Sequence, residues 1–417
     1  MSAQPEVPFA RPWFGGGEAE AVARVIASGW LTQGPRVEEF ERRFAERVGA
    51  ADAVATTSCT TALHLTLHAL GIGRGDEVIL PSLTFIATAN AIWQCGARPV
   101  FADIDPETYN LDPAAAEAAI GPRTRAILPV HQLGLPADMD AFAELCARHG
   151  LALVEDAACA IGARHRGRPI GSLGFPACFS FHPRKVITCG EGGMIALGDP
   201  ALAARLRRLR EHSMDSSALA RHAATGVVIE GYPERGFNYR MTDLQAAIGL
   251  RQLEDLDYIL AERRRLARRY SEGLAGVPGL GLPVDPPYAW RTWQSYAVRV
   301  RPGAAVSARE LMEALAAEGI RTRPGVMAIH RQPAYAEAAS PARDGGLPDL
   351  PHTQAAAREV VLLPLFPGLT EAQQERVIAA VRRLLGASPT AAAVHAPRGE
   401  RAADEAGSPA GGGGAPG

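Results

Sequence analysis

Lysine is almost missing from this chain. Of its 43 basic residues, 42 are arginines and one, Lys185, is a lysine. The background uses arginine wherever a surface cation will do. A guanidinium keeps its proton in proteins and forms no imine with a carbonyl, so arginine cannot replace an amine. A single lysine kept in such a background is a candidate for amine chemistry. On the count alone, a surface lysine retained by chance is an equal alternative. Other shortages exclude whole classes. Basic and acidic residues number 43 and 45, a net charge of −2, which gives no reason for a nucleic-acid or anionic-membrane partner. No uninterrupted apolar run is long enough to span a bilayer. The opening MSAQPEVPFARPW lacks the basic stretch and apolar run of a secretory leader. The six cysteines form no C-x-x-C pair and, in 417 residues, do not read as a disulfide scaffold. They fit a reducing, cytoplasmic compartment.

The length and a hydrophobic content of 47% allow two or three domains around a large core. From Ala53 to Leu197 short apolar runs alternate with amphipathic stretches. The runs predict strands at Ala53–Thr56, Val78–Leu80, Pro99–Phe101, Ala126–Val130, Ala152–Glu155, Cys178–Phe181 and Met194–Leu197. Helices are predicted between them, as at Thr61–Leu70, Ala114–Ile120 and Met139–His149. Such alternation argues for an α/β fold with a mostly parallel central sheet covered by helices on both faces. Val37, Phe40, Phe44 and Val48 mark a helix before the sheet. A capping-box pattern, Thr242-x-x-Gln245, opens a long helix reaching about Tyr270. Past it the style changes: a strand at Ser295–Val300, then helices opened by Ser307-x-x-Glu310 and Thr370-x-x-Gln373. We expect a large domain over residues 1–260, a smaller α+β domain over 261–386, and a disordered Ala/Pro/Gly-rich tail over 387–417.

The neighbourhood of Lys185 decides between its two readings. Lys185 follows the Cys178–Phe181 run in ACFSFHPRKVITCGEGGM, where Pro183, Gly190, Gly192 and Gly193 predict a turn. Asp156, in VEDAACA, ends a different predicted strand. Ligands of open parallel sheets sit beyond the carboxyl ends of the strands. Asp156 taken alone reads better as a helix cap, since an Asp after a strand often caps the next helix. In TSCTTALHLTL, Ser58, Thr60 and Thr61 precede a helix, whose free N–H groups suit an anion; an ordinary N-cap uses the same residues. Ser180 adds a hydroxyl near the lysine turn, and Phe85 is an aromatic able to stack on a ring or fill a core. An amine, a carboxylate, an anion cradle and a flat apolar partner are what pyridoxal phosphate asks of a protein. Two motifs are set aside. GIGRGDEVIL has its glycines after a helix and before a strand, the reverse of a dinucleotide fingerprint. His64 and His68 lack the glutamate of a zinc-binding helix, and no metal site is expected.

Together these segments resemble the DegT/DnrJ/EryC1/StrS family of pyridoxal-phosphate enzymes, mostly sugar aminotransferases. The resemblance runs from about Pro8 to Leu385 and rests on several motifs in order, among them SGWLTQGPRVEEFE, PVFADIDPETYNLD, ILPVHQLGLPADMD and GFNYRMTDLQAAIGL. It implies an aspartate-aminotransferase-like (type I) fold and a homodimer with active sites at the subunit interface. Position by position, it implies that Lys185 carries the cofactor as a Schiff base and shuttles the substrate proton. Asp156 would pair with the ring nitrogen, Phe85 stack on the ring, and Thr60, Thr61 and Ser180 hold the phosphate. Asn238 would reach the phosphate of the neighbouring subunit's cofactor. Cys159 departs from the pattern: relatives often carry Gln or His there, against the ring hydroxyl, and a thiol bonds weakly. Cys59 stands where glycine is common, so the backbone there must avoid a conformation that needs glycine.

The implied reaction is transamination from glutamate to a keto sugar carried on a nucleotide, for surface polysaccharides or secondary metabolites. His182, His330, Arg321 and Arg323 stand where the family builds its substrate pocket, and arginines suit a carboxylate or diphosphate. The retained Lys185 counts against the dehydratase branch, in which histidine replaces it. An aminocyclitol or aminohydroxybenzoate-type enzyme would keep both key residues. A non-catalytic cofactor-binding regulator is the rival from another class.

Overall fold

The computed structural model describes residues 5–215, 229–336 and 348–386. Its first half builds one central sheet from β1 (Asp52–Thr56), β2 (Glu77–Pro81), β3 (Arg98–Ala102), β4 (Thr124–Ile127), β5 (Ala152–Leu153) and β6 (Glu155–Asp156). A small hairpin, β7 (Arg164–His165) and β8 (Arg168–Pro169), precedes the last two members, β9 (Ala177–Ser180) and β10 (Gly193–Leu197). Strands β3, β2, β4 and β5 pair side by side in parallel. Strand β6 pairs in parallel with β9, and β10 runs antiparallel between β9 and β1. A parallel bridge between Val130 and Asp156, with Asp156 N–H donating to Pro129 O at 3.0 Å, joins the two halves. Only β10 runs against its neighbours.

Alternation along each strand sends neighbouring side chains to opposite faces. Ala53 and Ala55, Ile79, and Met194 and Ala196 join one core, beneath the Pro35–Val48 and Asp243–Glu254 helices. Val54, Val78, Leu80, Ile195 and Leu197 join the other, beneath the Cys59–Ala69 and Pro200–Arg210 helices. Strands β2 and β10 are buried at every residue, as strands covered on both faces must be. No helix among the described residues is long and apolar enough to cross a membrane.

The C-terminal part forms a second sheet. Its strands are β11 (Leu280–Gly281), β13 (Tyr296–Val300), β14 (Arg323–Pro324) and β15 (Val360–Leu363), antiparallel in the order β11-β13-β15-β14. Strand β12 (Ala289–Trp290) instead pairs with β7. The Ala308–Ala317 and Glu371–Leu384 helices bury Leu311, Leu315, Val377 and Val381 with Tyr296 and Val298 in a core of their own. All three expected capping boxes form, at Thr242, Ser307 and Thr370.

The long helix expected from Thr242 is two, Asp243–Glu254 and Leu256–Gly273, meeting at Asp255, which keeps right-handed helical angles. Leu256, Ile259 and Leu260 pack in the first core, Leu266, Ala267 and Tyr270 in the last. The change of core thus falls inside a helix. We propose the division into residues 1–260 and 261–386 at that point. The 387–417 tail lies outside the described residues.

One glycine brings strand ends and a helix together. Gly193 in β10 is paired with Thr56 on one side and Ser180 on the other. A Cβ at Gly193 would lie 2.4 Å from the Ser58 carbonyl, which is backbone and cannot swing away. Gly193→Ala should therefore cost about 1–3 kcal/mol of stability through overpacking. A thermal melt of the variant beside the wild type checks this. An unchanged melting temperature would mean that the Ser58 loop is not clamped there.

Candidate active site

Asp156 ends β6 and is 5% exposed. A turn follows it, not a helix, so the helix-cap alternative does not apply. Its Oδ1 accepts the Ala158 N–H at 3.1 Å, and its Oδ2 accepts the Thr88 hydroxyl at 2.8 Å. Thr88 lies in the Ala87–Gln94 helix, and its hydroxyl is 3.0 Å from that of Thr84. Sequence reading missed Thr88. The signal was two threonines one helical turn apart around Phe85, just past a strand end.

Strand β9 lies beside β6 in parallel, Cys178 opposite Asp156, so the chain leaving β9 emerges at the same edge. The turn that follows is closed by Lys185 N–H on His182 O at 2.8 Å and Cys189 N–H on Phe181 O at 3.1 Å. Lys185 Nζ donates to Cys159 Sγ at 3.2 Å. Burial works against the ammonium, but its charge interaction and hydrogen bond with Cys159, then the charge of Asp156, outweigh it. The Lys185 pKa therefore stands above its ordinary value. His182, half-buried on the same turn, is shifted down mainly by burial.

The anion cradle forms at the start of the Cys59–Ala69 helix. Ser58 Oγ accepts Thr61 N–H at 3.2 Å, and Thr61 Oγ1 accepts Ser58 N–H at 3.0 Å, a closed capping box. The Thr61 hydroxyl is thereby engaged within the loop, while Cys59 and Thr60 present first-turn N–H groups. Cys59 opens the helix without a positive φ, and its buried thiol donates to Cys178 O at 3.3 Å. The side chain that replaces glycine thus packs behind the loop. Across Gly193, Ser180 stands beside it.

The other expected residues divide. Phe85 is 56% exposed, three residues before Thr88 on the same edge. Asn238 is exposed, next to Tyr239, whose carbonyl accepts Thr57 N–H at 3.0 Å. His330 is fully buried, its Nδ1 2.6 Å from Ser82 Oγ, and its Nε2 has no partner among the described residues. Burial lowers its pKa. Arg321 is exposed and paired with Glu6, and Arg323 lies exposed in β14. The structure thus brings Lys185, Asp156 and Cys159 together and directs Arg321 to the N-terminal segment.

A buried carboxylate, a neighbouring amine and a helix N-terminus with added hydroxyls are the donor set that pyridoxal phosphate requires, and the residues present fit it. Fold and site are those of an aminotransferase. The pattern of the DegT/DnrJ/EryC1/StrS aminotransferase family matches residues 14–382, and the chain belongs to that family. A GDP-perosamine synthase from Caulobacter vibrioides is 44% identical over 391 residues, covering 92% of this chain and all of the relative. A structure of DesV from S. venezuelae in complex with a ketimine intermediate is 41% identical, with a TM-score of 0.81. That match covers 91% of this chain and 98% of DesV. A structure of DesI in the presence of its TDP-sugar product is 35% identical with a TM-score of 0.80, covering 91% of this chain and 93% of DesI. The fold is aspartate-aminotransferase-like, as the resemblance implied.

A hydroxyl donating to a carboxylate contributes about 1.5–3 kcal/mol. Thr88→Val keeps the shape of the side chain and removes that donor from Asp156. Its dissociation constant for pyridoxal phosphate should rise about tenfold or more, and the cofactor-free protein should melt at a lower temperature, because a buried carboxylate oxygen loses its donor. Equilibrium titration of cofactor absorbance reads the first, a melt the second. Unaltered affinity would remove Thr88 from the site.

Proposed function

We propose that this chain is a pyridoxal-phosphate-dependent transaminase that moves the amino group of glutamate to a keto sugar carried on a nucleotide. The observation that carries the reading is the sole lysine of the chain standing at the strand edge where Asp156 is held by Thr88 and Ala158. When bound, the cofactor supplies an electron sink for cleavage at the amino-bearing carbon. The protein does the rest. Lys185 anchors the cofactor and moves the substrate proton. Asp156 keeps a proton on the ring nitrogen by charge pairing. Phe85 offers a flat face, and Thr60, Ser180 and the helix N-terminus take the phosphate, with Thr61, the other family-implied residue, closing the loop that presents them. By the family's arrangement, Cys159, beside Lys185, would be the residue nearest the ring hydroxyl.

The nucleotide-sugar reading is supported by full-length similarity to a GDP-perosamine synthase and by the sugar product in the DesI structure. It is also supported by a cavity of about 470 Å³ lined by Arg331, Arg358, Gln332 and Gln354. Arg331 follows His330, and the preceding Ala328 bridges to Leu83, two residues from Phe85. Guanidinium groups there suit a diphosphate through paired hydrogen bonds. Glutamate is the donor; of the family-implied substrate residues, His182 and Arg323 are open to it, whereas His330 is buried on Ser82 and Arg321 is paired with Glu6. We infer a cytoplasmic homodimer in which exposed Asn238 reaches the neighbour's cofactor phosphate, serving polysaccharide or secondary-metabolite synthesis.

A panel of GDP-, TDP- and UDP-linked keto sugars with glutamate tests the proposal. Amination of at least one, followed by mass spectrometry, is the expected result. No product from any, with the loaded protein still consuming glutamate, would contradict the sugar assignment. Arg331→Ala and Arg358→Ala should each raise KM for the sugar nucleotide about tenfold, as loss of a charged hydrogen bond does, and raise KM for glutamate less.

A further inference from the structure

We propose that Cys159 is the proton partner of Lys185: its thiol exchanges a proton with the lysine amine and so decides when that amine can attack a carbonyl. The inference rests on the reading of Lys185 as the cofactor's amine and goes beyond it, because it assigns the group that controls that amine. The contact itself is direct, 3.2 Å between Nζ and Sγ.

The thiol is held in place by three chain segments. Cys159 O accepts the Thr292 hydroxyl at 2.9 Å, and Thr292 N–H donates to Gly134 O at 3.0 Å. Gly134 has φ 88°, and a Cβ there would lie 2.0 Å from Thr292 Oγ1 and 3.0 Å from Cys159 O. Only glycine permits that approach. The same segment grips the lysine turn, since Gln294 Nε2 donates to Arg184 O at 2.7 Å. Trp293, between the two, is held at φ 55°, an uncommon conformation for a bulky residue. Arg263 fixes it by donating to Trp293 O at 3.3 Å and Gln294 O at 3.1 Å. Thr292 and Gln294 therefore set the spacing of thiol and amine.

The charges around the pair hold the proton on the amine, so the thiol contact delays release of the neutral amine. Lys185 faces Asp156 from β6, Cys59 from the cradle helix and His182 from its own turn. Cys159 faces Arg263, from the Leu256–Gly273 helix, and Cys59. Burial pushes the other thiols up, Cys146 to about 11 and Cys95 to about 12, with Cys59, Cys178 and Cys189 also raised. Those five take no part near neutral pH. The step balances without an oxidant: the Lys185 ammonium gives one proton to the Cys159 thiolate, leaving a neutral amine and a neutral thiol.

The test is the rate at which cofactor-free protein captures pyridoxal phosphate, followed by absorbance from neutral to alkaline pH. Only the neutral amine reacts, so the rate should rise with pH. Removing the sulfur leaves burial to dominate and lowers the Lys185 pKa. Cys159→Ala and Cys159→Ser should each move the midpoint down by about one pH unit or more and speed capture about tenfold at neutral pH. In the cofactor-free wild type, iodoacetamide should alkylate Cys159 before the other five cysteines. Lys185→Met should slow that alkylation about tenfold, since the thiolate loses its neighbouring cation. Unmoved midpoints in both cysteine variants, with alkylation indifferent to Lys185, would overturn the inference. If instead Lys185→Met still captured the cofactor covalently, the reading of Lys185 itself would fail.

Discussion

The parallel pairing of β6 with β9 is the constraint on which the site depends. It puts Cys178 opposite Asp156, so the carboxylate and the turn carrying Lys185 leave the sheet at one edge. A slip of one residue would turn Asp156 to the other face. The register is fixed from the far side of β6. His131 Nε2 and Glu155 Oε2 lie 2.9 Å apart, both fully buried. His131 Nδ1 accepts Ala137 N–H at 3.0 Å, so the Nε2–H is the donor to the carboxylate. The His131 N–H also donates to Asp156 O at 3.1 Å. A buried hydrogen bond to a carboxylate of this kind contributes about 1.5–3 kcal/mol. Glu155 and His131 therefore hold the backbone from which Asp156 projects.

Local pattern carried most of the fold. Apolar runs marked most strands within a residue, though Ala126–Val130 overran β4 by three residues and Ala152–Glu155 is divided between β5 and β6; the capping boxes marked three helix starts, because both signals depend on neighbours in sequence. The two members of the proposed site, Asp156 and Lys185, were legible for the same reason: one ends a strand and the other stands in the turn after a strand. What sequence reading lost depends on distant contacts. Thr88 matters through Asp156, 68 residues away, and Thr292 through Cys159, 133 residues away. Arg321 pairs with Glu6 across 315 residues, and His330 is buried on Ser82 across 248. The break at Asp255 was hidden because apolar periodicity continues through it while the core it serves changes.

The scarcity of lysine now has a structural setting. Arginine serves the charge network wherever a permanent cation is wanted, as where Arg210 pairs with buried Glu41 or Arg207 with Asp52 at 2.6 Å. At position 185 a permanent cation could not serve the role we propose. The amine there would have to lose its proton while packed among Asp156, Cys159 and Cys59, which hold that proton tightly. Phe85 and Asn238 are both exposed, as their proposed roles toward the cofactor and a second subunit require.

The same scarcity makes the central claim easy to test. The chain has two primary amines, its α-amine and Lys185 Nζ. Protein loaded with pyridoxal phosphate, reduced with borohydride and weighed intact should carry one added cofactor. Digestion should place it on the peptide containing Lys185, and Lys185→Arg should carry none. No adduct on the wild type, or one confined to the N-terminal peptide, would contradict the account.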